Sequence, residues 1–342
     1  MKKRPAGDEA FLVLGSCLNR KDALLKPELA THDAIVNAAR NLREGGLVAF
    51  PTETVYGLGA DATNGKAVAR IFAAKGRPSF NPLIVHVASL EMAESLGVFT
   101  DKARQLADAF WPGALTLVLE RTPDCAASDL VSAGLSTIAL RMPAHEVAQD
   151  LIAAAGVPLA APSANPSESL SPTTAAHVAE GLGDKVDMIL DGGACSLGLE
   201  STVCGIFDDE VVQLRPGAVP REEIEKVIGP LSDRQLDEKH SPGQMTRHYA
   251  PRAKLRLDAK DAQPGETLLA YGPDVPDYDA MMLNLSPTGD LVEAAANLFA
   301  YLRELDASGV KAIAVMPIPQ DGLGEAINDR LTRAAAPNEV VE

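Results

Sequence analysis

Apolar residues recur at helical spacing after Thr31, with Ala34, Ile35, Ala38, Ala39 and Leu42 on one face. This predicts a helix capped by Thr31 and ended by Gly45-Gly46. Residues 47–50 form a short apolar run that predicts a buried strand. The stretch 50–87 then reads as strand, turn, strand, short helix, basic loop and strand. Its helix carries Val68, Ile71 and Phe72 on one face and stops at Gly76, with Pro78 just beyond. Helices are predicted at 89–96, 101–110 and 144–155, and strands at 115–119, 137–142 and 158–161, with a polar loop at 122–133. Pro162-Ser163-Ala164-Asn165-Pro166 is a turn by composition. Ser171 is read as the cap of a helix with Pro172 at its first position. Strands at 188–190, 200–207 and 211–214 and a helix at 221–228 follow, the helix stopped by Gly229-Pro230.

Strands and helices mix here without strict alternation, so the expected fold class is α/β in the broad sense: an α+β arrangement on a mixed twisted sheet. Residues 1–30 lack a sustained period and are read as an N-terminal extension, and 31–229 as the larger domain. Residues 230–253 have no apolar period and contain Ser241-Pro242-Gly243 and Pro251, the composition of a long linker. From 254 to 342 the pattern is regular again. Strands at 268–271, 281–285 and 312–316 with helices at 291–305 and 325–333 predict a second, smaller, Rossmann-like α/β domain.

The 342 residues carry a formal net charge of -16, and both parts of the chain are acidic. Holding a nucleic-acid backbone by bulk electrostatics needs the opposite sign, so stable direct nucleic-acid binding is not expected. A local basic site for a nucleotide remains compatible, since near contacts outweigh a distant, screened field. Cys17, Cys125, Cys195 and Cys204 have neither CxxC spacing nor a nearby His pair, which argues against a zinc site and a disulfide framework. No metal ligand set is expected from the chain itself. The start Met1-Lys2-Lys3-Arg4 is followed by Asp8 and Glu9 and by too short an apolar run for a signal peptide. No run approaches a membrane span, and the expected location is the cytoplasm.

Two parts of 50–87 carry candidate chemistry. Pro51-Thr52-Glu53-Thr54 places hydroxyls and a carboxylate at the end of an apolar run. Lys75-Gly76-Arg77-Pro78 places two cations just before Asn81 and a strand ending in His86. Such cations are either solvated or there for an anion. Neither GxxxxGK[ST] nor a complete GxGxxG occurs, so a nucleotide site would have to use scattered side chains. Taken singly, Lys75 and Arg77 suit a solvated loop, Ser163 and Asn165 a turn, Arg215 a surface strand end, and His86 a satisfied core histidine. Arg141 is different. It follows Ile138-Ala139-Leu140 in a buried-looking strand and needs a carboxylate, which a substrate can supply bidentately. Glu200-Ser201-Thr202 is either hairpin punctuation or another hydroxyl cluster.

In combination, FPTETVYGL, KGRP with NPLIVHV, PSAN, LESTV and RPG, in this order, resemble the YrdC-like domain. The SPGQMTRHYAP linker and the small C-terminal domain narrow the resemblance to the long, two-domain form of the threonylcarbamoyl-AMP synthase family, from about residue 31 to the end. One departure is Gly205, where the family usually has an acidic residue. Another is Cys204, at a commonly aliphatic place.

The resemblance implies a nucleotidyltransferase that condenses L-threonine, bicarbonate (or carbon dioxide) and ATP to threonylcarbamoyl-AMP and pyrophosphate. A separate tRNA threonylcarbamoyl-transferase complex would pass the group to an adenosine beside the anticodon. It implies that Lys75, Arg77, Ser163 and Asn165 serve the chemistry, and that Thr54, His86, Arg141, Ala161 and Ser201 surround the threonine. Lys75, Arg77, Asn81, Thr137, Ser163, Ser171, Arg215 and Tyr249 would face ATP, with Mg²⁺ travelling on the triphosphate. Glu53 is read as a proton acceptor or metal partner. The linker, through His248 and Tyr249, is read as a cover that keeps water from a labile mixed anhydride. The alternatives are a non-catalytic RNA-binding YrdC-like module, which the charge balance opposes, and a hydrogenase-maturing carbamoyltransferase. The latter would need a zinc-finger region that these cysteines cannot form.

Overall fold

The computed structural model describes residues 25–234, 248–279 and 281–337. In chain order the first part contains β1 (Glu28–Leu29), α1 (His32–Arg43), β2 (Val48–Phe50), β3 (Gly57–Asp61), α2 (Gly65–Lys75) and β4 (Ile84–His86). These are followed by α3 (Leu90–Glu94), α4 (Asp101–Phe110), β5 (Leu115–Glu120), β6 (Thr137–Arg141), α5 (Glu146–Ala155) and β7 (Leu159–Ala160). Then come α6 (Ala175–Leu182), β8 (Met188–Asp191), β9 (Thr202–Phe207), β10 (Glu210–Arg215) and α7 (Arg221–Ile228). The ten strands form one mixed sheet in the order β1-β8-β2-β3-β7-β4-β6-β5-β9-β10. The second part contains β11 (Lys254–Arg256), β12 (Glu266–Ala270), β13 (Met282–Asn284), α8 (Leu291–Ala307), β14 (Ala312–Val315) and α9 (Leu323–Ala335). Its four strands form a parallel sheet ordered β11-β14-β12-β13. A large mixed sheet with a small parallel one is the fold class read from the sequence.

Local chemistry explains most helix ends. Thr31 accepts from the Ala34 amide at the start of α1, and Gly76 (φ +62°) ends α2 in the left-handed region. Ser171 is a correction. The helix near it starts later, with Thr174 accepting from the His177 amide, and Ser171 is buried and spent on a long-range contact. A Ser-Pro pair looks like a cap in sequence, but a carboxylate elsewhere in the fold has claimed the hydroxyl. Two short strands also escaped the sequence pattern. Glu28–Leu29, inside the predicted extension, pairs with β8, and Lys254–Arg256 pairs with β14. Residues 235–247, most of the predicted linker, lie outside the described residues.

The two faces of the large sheet are covered differently, and this creates the site. One face packs a continuous core with α2, α4, α6 and α7, including Ile71, Leu106, Val178 and Ile224. On the other face α1 and α5 cover β2, β7 and β8 through Ile35, Leu42, Leu151 and Ile152. Each such side chain contributes about 1.5–3 kcal/mol of burial. Past β4 the second face carries a small apolar patch of Ile84, Val118, Ala139 and Val203, with Phe207 and Leu214 beside it, all from strands. Gly205 belongs here: a Cβ would come within 2.3 Å of the Phe207 ring, so a side chain at this position would displace Phe207. Among the described residues no helix joins this patch, and the sheet's polar side chains gather at its border.

Candidate active site

Period-two alternation sets the first members of the site. His86 and Arg141 are partners across the parallel β4–β6 pair, two residues beyond Ile84 and Ala139 respectively, so both extend the apolar face. Arg215 arrives by a different route. The β9–β10 ladder slips between Gln213 and Arg215, so that Arg215 pairs with Val203, and this bulge turns it toward the same face as Leu214. Gly217 lets the chain continue against the opposing strand: a Cβ there would lie 2.4 Å from the Ser201 carbonyl carbon. The 216–218 backbone thus presses on Glu200-Ser201, and the Ala218 amide donates to the Glu200 carbonyl at 3.0 Å.

The remaining members come from loops. The Thr52 hydroxyl accepts from the Thr54 and Val55 amides (3.2 and 3.3 Å) and donates to the Val55 carbonyl (2.7 Å), fixing a tight turn. That turn presents the Thr54 hydroxyl to Arg141 Nη1 at 2.9 Å and the Glu53 carboxylate to Arg141 Nη2 at 2.7 Å. Arg141 Nε donates to the Gly113 carbonyl at 3.1 Å. One N–H on each terminal nitrogen is left over.

A single cavity is lined by Thr52, Thr54, Arg77, His86, Arg141, Ala161, Ser163, Ser201, Arg215, His248 and Tyr249 among others. Its volume is about 50 Å³. That holds a few waters, at about 10–15 Å³ each.

Of the residues named from the sequence, Thr54, Arg77, His86, Arg141, Ala161, Ser163, Ser201, Arg215 and Tyr249 meet around this cavity. Lys75 and Asn165 stand one layer behind. Lys75 is the last residue of α2, not a loop residue, and its Nζ donates to the Ser163 and Asn165 carbonyls at 2.6 and 2.5 Å. The Asn165 amide nitrogen holds the Pro166 and Ser169 carbonyls, while its Oδ1 is buried without a partner among the described residues. Asn81 is buried and gives its carbonyl to Arg77 Nε at 3.2 Å. Ser171 does not line the cavity, because its hydroxyl donates to Glu200. Thr137 opens β6 four residues before Arg141 on the same face, its hydroxyl buried and without a partner among the described residues. A ligand touching both would span about 13 Å.

The charges in this region are unevenly paired. Arg141 has Glu53, and Glu200 has Arg330 at 2.8 Å, all four side chains buried. Lys75, Arg77 and Arg215 have no carboxylate within ion-pair distance among the described residues and rest on carbonyl oxygens or, for Arg215, also the Ser201 hydroxyl. Burial, with Arg77 nearby, pushes Lys75 well below its ordinary value, and burial, with Arg215 nearby, brings Arg77 down to about 10. These three basic groups have no carboxylate partner among the described residues.

Each of the two carboxylates is paired with an arginine. Burial alone would raise Glu53, but the Arg141 guanidinium outweighs it and holds the group below its ordinary value. Arg330 and Arg215 do the same for Glu200. Glu53 lies behind Arg141 and is not among the lining residues: its Oε1 is the counter-ion that orients Arg141, while its Oε2 is buried without a hydrogen-bond partner among the described residues. Burial and the neighbouring Arg141 push His86 down to about 3, so it acts as a neutral hydrogen-bonding group whose Nδ1 has no partner among the described residues. Among the described residues no three His, Cys, Asp or Glu side chains gather as a metal cage.

Sequence reasoning missed Arg330 altogether. It lies 130 residues from Glu200 and 81 from Tyr249, and no local pattern marks it. Arg141 announced a missing carboxylate, but its partner is within the chain.

A family profile described as Telomere recombination matches residues 40–217. A second, described as Threonylcarbamoyl-AMP synthase, C-terminal domain, matches residues 219–336. The threonylcarbamoyl-AMP synthase of Pyrococcus abyssi is 44% identical over 321 residues, covering 87% of this chain and 93% of that protein. That of Bacillus subtilis is 44% identical over 332 residues, covering 90% and 95%. A crystal structure of P. abyssi Sua5 complexed with L-threonine superposes with a TM-score of 0.81 at 42% identity, covering 88% of this chain and 94% of that one. With both profiles matched in order and nearly the full length shared at this identity, the chain belongs to the threonylcarbamoyl-AMP synthase family in its two-domain form.

Proposed function

We infer that this protein is an L-threonylcarbamoyladenylate synthase, condensing L-threonine, bicarbonate or carbon dioxide, and ATP into threonylcarbamoyl-AMP with release of pyrophosphate. The observation that carries the reading is the juxtaposition, at one cavity, of Arg77 and Arg215 with Lys75 just behind them, none with a counter-ion among the described residues, and of an arginine with two spare N–H groups. The first set suits a triphosphate and the second a single carboxylate.

Arg141 takes the threonine carboxylate bidentately, its plane fixed from behind by Glu53 and Gly113. Thr54, His86, Ser201 and the backbone at Ala161 surround the amine, hydroxyl and methyl. The neutral amine attacks carbon dioxide, forming the C–N bond and releasing one N–H proton to solvent to give the carbamate. A carbamate oxygen then attacks the α-phosphorus, and the bond to pyrophosphate breaks. Negative charge grows on the leaving oxygens, where Arg77 and Arg215 act directly and Lys75 acts through Ser163 and Asn165. Charge-assisted hydrogen bonds contribute roughly 1.5–3 kcal/mol each, so three cations can hold a triphosphate without a P-loop. Asn81, Thr137 and Ser171 lie farther out.

Mg²⁺ enters this reading as a passenger on the triphosphate. Glu53 and Glu200 are both paired with arginines, the described residues gather no metal cage, and no step is assigned to the ion. The mixed anhydride is labile to water, and the buried rings of His248 and Tyr249 on the cavity wall keep solvent from it. The product is consumed by a separate tRNA-modifying transferase complex, and this chemistry belongs to the cytoplasm. Among the described residues no helix is long and apolar enough to cross a membrane.

The test is incubation with ATP, L-threonine and bicarbonate while following pyrophosphate and product mass. Omitting threonine or bicarbonate should abolish the adenylate. Pyrophosphate release indifferent to both would refute the reading.

A further inference from the structure

Glu200 is the only acidic side chain among the described residues lining the cavity. A carboxylate in the wall of an anion site is a liability unless it is neutralised, and the group that neutralises it comes from the other sheet's unit. Arg330, on α9, is buried to 1% exposure, and its Nε donates to Glu200 Oε2 at 2.8 Å. Its Nη2 donates to the Pro216 carbonyl at 3.0 Å, one residue past Arg215, and its Nη1 pairs with Asp329 at 2.5 Å. The other Glu200 oxygen accepts from the Ser171 hydroxyl. The guanidinium carbon also lies 5.1 Å from the centre of the Tyr249 ring, which Phe299 of α8 flanks at 5.6 Å.

We propose that Arg330 is a positioning residue for the nucleotide, by which the smaller unit completes a site built mainly on the larger one. Arg330 acts in two ways, and both rest on the nucleotide reading above. It cancels the Glu200 charge, and in doing so it leaves Arg215, the other cation acting on Glu200, available to phosphate oxygens. It also seats the Tyr249 ring against the cavity. The threonine end is a built-in control, because Arg141 is held by Thr54, Glu53 and Gly113, none of which Arg330 touches.

The experiment measures affinity by calorimetry for ATP alone and for L-threonine alone, which needs no turnover, in the full-length protein. Arg330→Lys keeps the charge and loses the fork. ATP affinity should fall about tenfold while threonine affinity stays within about twofold. Arg330→Met should lose more ATP affinity, and adding Glu200→Gln to it should recover most of that loss, because the unpaired carboxylate is what repels the phosphates. The double variant leaves no buried charge unpaired at this pair and serves if Arg330→Met alone does not fold. It should then bind ATP at least as well as Arg330→Lys. ATP affinity unchanged in Arg330→Lys, equal losses for threonine and ATP, or a double variant weaker than Arg330→Lys would each overturn the proposal. Wild-type protein that binds ATP without releasing pyrophosphate would count against the synthase reading alone. Wild-type protein that does not bind ATP would overturn both.

Discussion

Replacing Glu53 by Gln removes one charge from the most buried ion pair of the threonine end and little else. The carboxylate lies 2.7 Å from Arg141, with side chains 10% and 4% exposed for Glu53 and Arg141. Breaking a buried pair by removing one partner costs about 3–5 kcal/mol, because the remaining charge is stranded. Glutamine keeps the shape and one acceptor, so the lower end applies, about 3 kcal/mol. For a cooperative unit of about 200 residues that lowers Tm by about 6–12 °C. The pH dependence has a definite sign. The folded pKa of Glu53 lies below its ordinary 4.5. Its contribution is therefore fully present above pH 4.5 and is lost as pH falls through the lowered folded value. Thermal denaturation of wild type and Glu53→Gln from pH 7 downward should show a gap that is constant at neutral pH and closes in acid. A gap below 2 °C at pH 7, or one that widens in acid, would refute the claim that Glu53 serves Arg141 as a buried counter-ion.

Three further outcomes are expected. Arg141→Ala should abolish saturable threonine binding by calorimetry while leaving ATP affinity within about threefold, since it removes charge-assisted bonds made to the carboxylate. ATP binding by wild type should take up protons and weaken as pH rises, because the buried Lys75 is depressed from 10.5 and an anion restores its charge. Calorimetry in buffers of different ionisation enthalpy measures this uptake, and Lys75→Met should reduce it, leaving His248, which burial and the nearby Arg77 and Arg215 depress, as the remaining contributor. Tyr249→Ala should raise the ATP requirement and increase ATP turnover without accumulating adenylate, measured by pyrophosphate against product mass. Unchanged affinity and yield would contradict that.

Much of the fold was legible because its signals are local. Thr31 and Gly76 mark helix ends by the chemistry of their own side chain and backbone, and the helix at 221–228 is bounded by Pro220 and Gly229. The strands carrying His86 and Arg141 were readable as apolar runs. What failed was whatever depends on a distant partner. Ser171 serves Glu200 instead of a helix end, and Glu53 sits 88 residues from the arginine it orients. Two-residue β1 and three-residue β11 are too short for any period and exist only through their neighbours. The bulge that aims Arg215 is a property of pairing, which sequence alone does not display. Scattered cations were recognisable as a set through family resemblance. That Lys75 would stand behind Ser163, and Arg330 across from Glu200, was not.

The central claim is that Lys75, Arg77 and Arg215, buried without counter-ions among the described residues, gather a triphosphate beside the threonine arginine. Calorimetric titration with ATP, ADP and AMP under one salt condition tests it most directly. Each phosphate lost should weaken binding by about tenfold or more, as charge-assisted contacts are removed. Equal affinity for the three nucleotides would contradict the account.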